Sequence, residues 1–360
     1  MAMARALTII LLLTRAASVC SAQSAPANLP TVWILSTGGT IAGQGASTTS
    51  LAEYKAGTLR GEDLVNAVPE IRKIANVKVE QIANVSSTDI TIGNWLTLAN
   101  RINDIFSSDP AVAGVVITHG TNTLEETGYF LNLTVKHDRP VVLVGSMRPA
   151  SAISADGPLN LLNAVRTAVS PEAKGKGALI VMNEEINGAR DVTKTNTYRV
   201  ETFRTPELGL LGYVDADQVV FYRSSLKRHT VTSEFDVRGL KDLPQVDIVY
   251  SYIQPNPAVF QALLASGARG IVFAGTGAGL LSIGERDALK PLLSLPPTRR
   301  PVLVRSNRTG NGRVVALQEY DALGMVPADN LNPQKARVLL MLALTRTQDL
   351  NEIRRMFAEY

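Results

Sequence analysis

The sequence predicts an α/β protein of two domains, a larger N-terminal one on a parallel sheet and a smaller C-terminal α/β one. Three observations carry that expectation. At 360 residues the chain exceeds what one hydrophobic core usually organises. From residue 31 onward, short β-branched runs alternate with helical stretches, the pattern of βαβ units. Two of those runs end directly in threonine-and-glycine turns: Val32-Trp33-Ile34-Leu35-Ser36-Thr37-Gly38-Gly39-Thr40, and Val115-Val116-Ile117-Thr118-His119-Gly120-Thr121-Asn122-Thr123. Buried strands of a parallel sheet read as continuous apolar runs, and glycine lets the chain turn sharply where they end. Open α/β sheets bind ligands at those carboxyl ends, so both turns can offer hydroxyls to one crevice.

Element by element, the Thr31 to Leu35 strand leads into a polar stretch from Gly43 to Gly61, read as a loop of the kind that covers a site. A helix over Glu62 to Val68, a strand over Val77 to Val85 and an amphipathic helix over Ile92 to Phe106 follow. The Ala113 to Thr118 strand precedes a helix around Leu124 to Leu133. Pro140 to Gly145 is a strand, Asp156 to Ala168 a helix, and Gly177 to Met182 a strand ahead of a polar stretch from Asn183 to Thr197. This first domain is expected over residues 30–219, with a charged, irregular linker over 220–244. The second, over 245–360, opens on Val246 to Tyr250 and includes strands at Gly270 to Ala274 and Pro301 to Arg305. It closes with helices at Pro333 to Thr345 and Asn351 to Tyr360.

The first 22 residues read as a secretory signal: Arg5, the largely apolar Ala6 to Leu13, then the small-residue zone Ala16 to Ala22. A lipidated Cys20 is the alternative, and Val19 just before it argues against that reading. Cys20 is the only cysteine, so the processed chain is expected without thiols or disulfides and must rely on packing. Losing Arg5 and Arg15 takes the net charge from +4 to +2. No basic block or aromatic-basic interleaving supports a nucleic-acid role. No other segment reaches membrane-spanning length, so a periplasmic protein without a membrane span is expected after processing.

Several chemistries fail on the residues present. Gly275-Thr276-Gly277-Ala278-Gly279 follows a strand but lacks the third glycine and the downstream acid of a dinucleotide fingerprint. Three histidines and no retained cysteine make a zinc site a poor reading, and no Gly-x-Ser-x-Gly elbow exists. Neither metal nor cofactor is expected. His119 sits at a site turn, where its plainer role is a side chain packed beneath the loop. Threonine remains as nucleophile, given a nearby base and an oxyanion donor. Lys194, in the polar stretch Arg190 to Thr197, can serve as base if partly buried. Taken alone, Thr40 and Thr121 read as helix N-caps and Lys194 as a solvated surface residue.

Taken together, the motifs resemble those of bacterial type II L-asparaginases and glutaminase-asparaginases. The resemblance rests on Thr37-Gly38-Gly39-Thr40-Ile41-Ala42-Gly43, on Thr118-His119-Gly120-Thr121 continuing to Thr127, and on Val144-Gly145-Ser146-Met147-Arg148-Pro149. It extends to Ser154-Ala155-Asp156-Gly157-Pro158, Gly188 to Asn196 and Leu331 to Arg337. It implies the asparaginase-like fold, a periplasmic homotetramer, and hydrolysis of asparagine to aspartate and ammonia, with glutamine as a side substrate. By the same resemblance Thr40 is the nucleophile and Tyr54 its partner in the lid loop. Thr121 and Lys194 form a second hydroxyl and base pair. Ser87 and Thr88 fall where the substrate carboxylate is held, and Glu319 reaches the α-ammonium from a neighbouring subunit.

The chain departs from that pattern at three places. Asn122 stands where the family usually has an aspartate, Thr88 where a glutamine often follows the serine, and Leu280 where a polar residue often approaches the substrate. A hydrogen bond to a charged group contributes about 1.5–3 kcal/mol against about 1 for a neutral one, so Asn122 should weaken binding of the ammonium. Losing a counter-charge should also lower the lysine's pKa. Two alternatives stay open: a glutaminase-dominant enzyme, and an amino-acid-binding homologue with weakened turnover.

Overall fold

The computed structural model describes residues 29–360, so the expected signal segment and the tail up to residue 28 lie outside the described residues. An eight-stranded sheet organises the first part of the chain. Its order runs 219–221, 212–214, 185–188, 178–182, 141–144, 112–118, 31–38, 76–85. The five strands from Asn76–Val85 to Ala178–Met182 are mutually parallel. Numbered along the chain they stand 2-1-3-4-5, a doubly wound order whose switch point lies between Thr31–Gly38 and Val112–Thr118. A ligand crevice is therefore expected at the carboxyl ends of those two strands.

Both sheet faces are covered, as a parallel sheet requires. On one face helix Gly157–Val169 buries Leu161, Ala164, Val165 and Ala168 against Val116, Val142 and Leu179. On the other, helix Ile92–Ser108 lays Trp95, Leu98, Ala99 and Ile102 over the sheet. Its start is fixed by Thr91, whose hydroxyl accepts from the Asn94 amide N–H. Helix Leu124–Thr134 is buried on almost every side because it also meets helix Pro333–Ala343 of the second part of the chain. That second part holds a four-stranded, fully parallel sheet of Val246–Tyr250, Gly270–Gly275, Val302–Asn307 and Met325–Pro327. One continuous apolar cluster joins the two sheets, from Val115 and Phe130 to Val272 and Leu340.

The expected strands and helices of the parallel sheet are present, with ends moved by a few residues. Three strands at one edge were not anticipated. The polar stretch after Met182 contains Glu185–Gly188, which pairs antiparallel with Ala178–Met182. The two residues between them, Asn183 and Glu184, have φ of 53° and 61°, which makes the tight, right-twisted turn favoured in two-residue hairpins. Gly212–Val214 and Val219–Phe221 extend the same edge. Within 220–244, Phe235 and Val237 sit in the main core. The Gly43 to Gly61 loop carries a small ladder, Gln44–Gly45 against Tyr54–Lys55.

Candidate active site

Three adjacent strands of the sheet deliver the site at their carboxyl ends. Thr31–Gly38 leads to Thr40, Val112–Thr118 to Thr121, and Asn76–Val85 to Ser87. Hydroxyls stitch the first two together just below the turns. Thr118 donates to the Ser36 hydroxyl at 2.9 Å, and Thr37 donates to the Thr118 carbonyl at 2.9 Å. Above them the two turns touch through glycine. Gly39 has φ 81°, and a Cβ there would overlap the backbone of Gly120. Only glycine permits both that φ and that approach, which brings Thr40 and Thr121 to one place.

A cavity of about 660 Å³ opens over these turns, and Thr40, Tyr54, Thr121, Asn122 and Lys194 all line it. Thr40 is 8% exposed and Thr121 4%, so each hydroxyl has only a small window onto the cavity. The Thr40 Oγ1 and Tyr54 hydroxyl oxygens lie 2.7 Å apart. The Tyr54 ring rests against Gly43, where a Cβ would stand 2.8 Å from Cδ2. Lys194 Nζ donates to Thr121 Oγ1 at 2.9 Å and to Asn122 Oδ1 at 3.1 Å. Burial lowers the Lys194 pKa from the usual lysine range, against an opposing pull from Glu125. A short ladder with Phe203–Arg204 holds the lysine's strand, Thr193–Lys194.

Ser87 lies buried beneath the second turn. Its Oγ accepts from the Asn122 amide N–H at 3.1 Å, and its carbonyl accepts from the Thr123 hydroxyl at 2.7 Å. Thr88 is exposed, donates to the Ser86 hydroxyl at 2.9 Å and does not line the cavity. Glu319 also lies elsewhere, exposed in Gln318–Asp321 with its carboxylate 3.6 Å from Arg286. Leu280 is exposed on the turn after Gly270–Gly275.

His119 is fully buried and away from the cavity lining. Trp95 Nε1 donates to Thr127 Oγ1 at 2.8 Å, which leaves the threonine proton for His119 Nε2 at 3.0 Å. The other ring nitrogen then donates to the Gly120 carbonyl at 2.7 Å. Burial pulls its pKa down to about 4, so the ring stays neutral at physiological pH. Its place is beneath the loop.

The lining also includes Leu51, Ala52, Met147 and residues Thr195 to Tyr198, none of which was singled out from sequence. The Lys194-Thr195-Asn196 run held the signal for the last group, since residues following a candidate base on one loop share its cavity. Met147 is set by Asp156, whose carboxylate accepts the amide N–H groups of Met147 and Arg148, each at 2.9 Å. Among the described residues no group of three or more His, Cys, Asp or Glu could hold a metal. Nor is any described helix long and apolar enough to cross a membrane.

A two-domain α/β chain with a hydroxyl-lined cavity at the switch point of its larger sheet is the class that fold and site define. Comparison with known proteins narrows that class. Residues 31–227 match the family model "Asparaginase, N-terminal" and residues 245–357 the "Glutaminase/Asparaginase C-terminal domain". The chain belongs to the asparaginase family. It is 53% identical to L-asparaginase 2 of Bacillus subtilis, over 92% of this chain and 87% of that protein. It is 45% identical to the glutaminase-asparaginase of Pseudomonas fluorescens, over 99% of this chain and 97% of that one. The crystal structure of a probable cytoplasmic L-asparaginase from Campylobacter jejuni superposes with a TM-score of 0.88 at 47% identity. That match covers 92% of this chain and all of that one.

Proposed function

We propose that this protein hydrolyses the side-chain amide of L-asparagine, giving L-aspartate and ammonia. The observation that carries the reading is the pair of hydroxyls, each with its own partner, on one cavity: Thr40 with Tyr54, and Thr121 with Lys194. Thr40 Oγ1 bonds to the amide carbon and passes its proton to the Tyr54 side. The C–N bond then breaks, and the nitrogen takes up a proton and leaves as ammonia. Water, deprotonated toward the Thr121–Lys194 pair, cleaves the resulting ester to aspartate and frees Thr40. The partly buried lysine suits that duty, because burial favours its neutral form. Ser87 and Asn122 hold the substrate head group, and Thr88, standing in place of a longer glutamine, shortens the polar reach beside Ser87.

The remaining features are proposed from the same reading. The units are residues 30–219 and 245–360 with 220–244 between them. Residues 1–22 direct export to the periplasm, and the chain assembles as a homotetramer in which Glu319 and Leu280 of one copy approach a neighbour's cavity. Glutamine is a second substrate. A glutaminase-dominant enzyme is the second reading, since the Pseudomonas fluorescens relative is named for both amides and one methylene is worth only about 1–3 kcal/mol of discrimination. A binding protein without turnover has no use for both threonine hydroxyls and the lysine.

Ammonia release from asparagine by the purified protein, beside Thr40→Ala, tests the assignment. Losing the nucleophile should cut kcat by about a thousandfold or more. Equal release from both proteins removes Thr40 from the mechanism.

A further inference from the structure

The described lining of the cavity offers hydroxyls that both donate and accept, and no anionic acceptor. Lys194 is its only charged lining residue, and no Asp or Glu is among the described residues that line it. Both lining asparagines have their carbonyl oxygens already engaged. Asn196 Oδ1 accepts the backbone N–H groups of Tyr198 and Arg199, each at 2.9 Å. Asn122 Oδ1 accepts from Lys194 Nζ at 3.1 Å.

The orientation of Asn122 holds in either protonation state of the lysine. An ammonium offers three donors and no acceptor. A neutral amine keeps one lone pair, which takes the Thr121 hydroxyl proton 2.9 Å away, and its two N–H groups still need an oxygen. In both cases Asn122 turns its oxygen to Lys194, and its NH₂ has no partner among the described residues. Its backbone N–H is tied to Ser87, so the side chain is fixed at its root as well. An NH₂ group recognises a carboxylate or carbonyl oxygen and offers nothing to an ammonium.

We propose that Asn122 presents its NH₂ to the substrate, so that this protein also hydrolyses ω-amides without an α-ammonium, the monoamides of dicarboxylic acids. The proposal rests on the asparagine-amide reading above and adds a substrate class to the same site. A carboxylate at position 122 would pair with the α-ammonium and make its removal costly. Asn122 makes no such pair, so the α-amino group contributes less to recognition here.

The test uses succinamic acid, which is asparagine without its α-amine. kcat/KM is measured for asparagine and for succinamic acid with the native assembly and with Asn122→Asp. The ratio of the two constants is taken within each protein, so any inactive fraction cancels. The asparagine-to-succinamate ratio is expected to rise about tenfold or more in Asn122→Asp, the contribution of one charged hydrogen bond where the native protein makes none. A ratio unchanged or lowered by the substitution, with asparagine still hydrolysed, overturns the inference alone. Ammonia from neither compound with the native protein overturns the underlying reading.

Discussion

In the proposed mechanism Lys194 is the residue whose state decides turnover, because only its neutral amine can take a proton from Thr121 or from water. Burial lowers its pKa, so the neutral form is reached at lower pH than for a solvated lysine. kcat/KM should therefore fall as pH falls through that lowered value and level off above it. Lys194→Met should cost about 10²–10⁴ in kcat and remove that limb of the pH profile. An unchanged limb would show that another group titrates. Asn122→Asp should lower the KM for asparagine; a KM no lower than the native one would count against the binding role of position 122. His119 carries a separate signature. Its folded pKa of about 4 lies below the ordinary 6.5, so the unfolded chain takes up the proton first as pH falls. Stability is complete above 6.5 and is lost between 6.5 and 4, by about 3 kcal/mol in all. Thermal unfolding followed across that window checks it, with His119→Gln expected to flatten the slope.

The contact between the two turns is the site's structural hinge point at the scale of elements. Gly39→Ala places a methyl group into the Gly120 backbone and forces a residue with a side chain to φ 81°. A loss of more than about 2 kcal/mol is expected, with activity falling further than stability because Thr40 and Thr121 separate. Denaturant unfolding and ammonia release on the same preparation measure both. These turns were readable in the sequence because β-branched runs ending in glycine have few alternatives as structure. The parallel sheet was readable for the same reason, and its doubly wound strand order came only from the structure. The antiparallel edge was not: its hairpin turns on Asn183-Glu184, where no glycine announces the positive φ, and its later strands are only three residues long. The company of Thr40, Tyr54, Thr121, Asn122 and Lys194 in one cavity was implied by the family resemblance, whereas Met147 and the Thr195 to Tyr198 wall were not singled out, since their positions depend on loops held by Asp156 and Thr202.

The two parts of the whole molecule meet over the site's supporting loop. Lys335, 1% exposed, reaches from helix Pro333–Ala343 to donate to the carbonyls of Arg190, at 2.8 Å, and Val192. Its Nζ also lies 3.8 Å from Glu125, which is itself buried and accepts from Gln334 at 3.1 Å. Val192 stands two residues before Lys194, so the second part of the chain holds the strand that carries the proposed base. Lys335→Met leaves Glu125 without its cation and the carbonyls without a donor, and should cost about 3–5 kcal/mol. Calorimetric unfolding of that variant, with kcat reduced in step, checks the coupling; native kcat at reduced stability would confine Lys335 to a packing role. The claim on which everything else depends is that the hydroxyls at 40 and 121 share one carboxamide. A crystal structure with aspartate bound tests it most directly. The side-chain carboxylate is expected between Thr40 Oγ1 and Thr121 Oγ1, within hydrogen-bond distance of both. Aspartate bound elsewhere, or reached by only one of the two hydroxyls, would contradict the account.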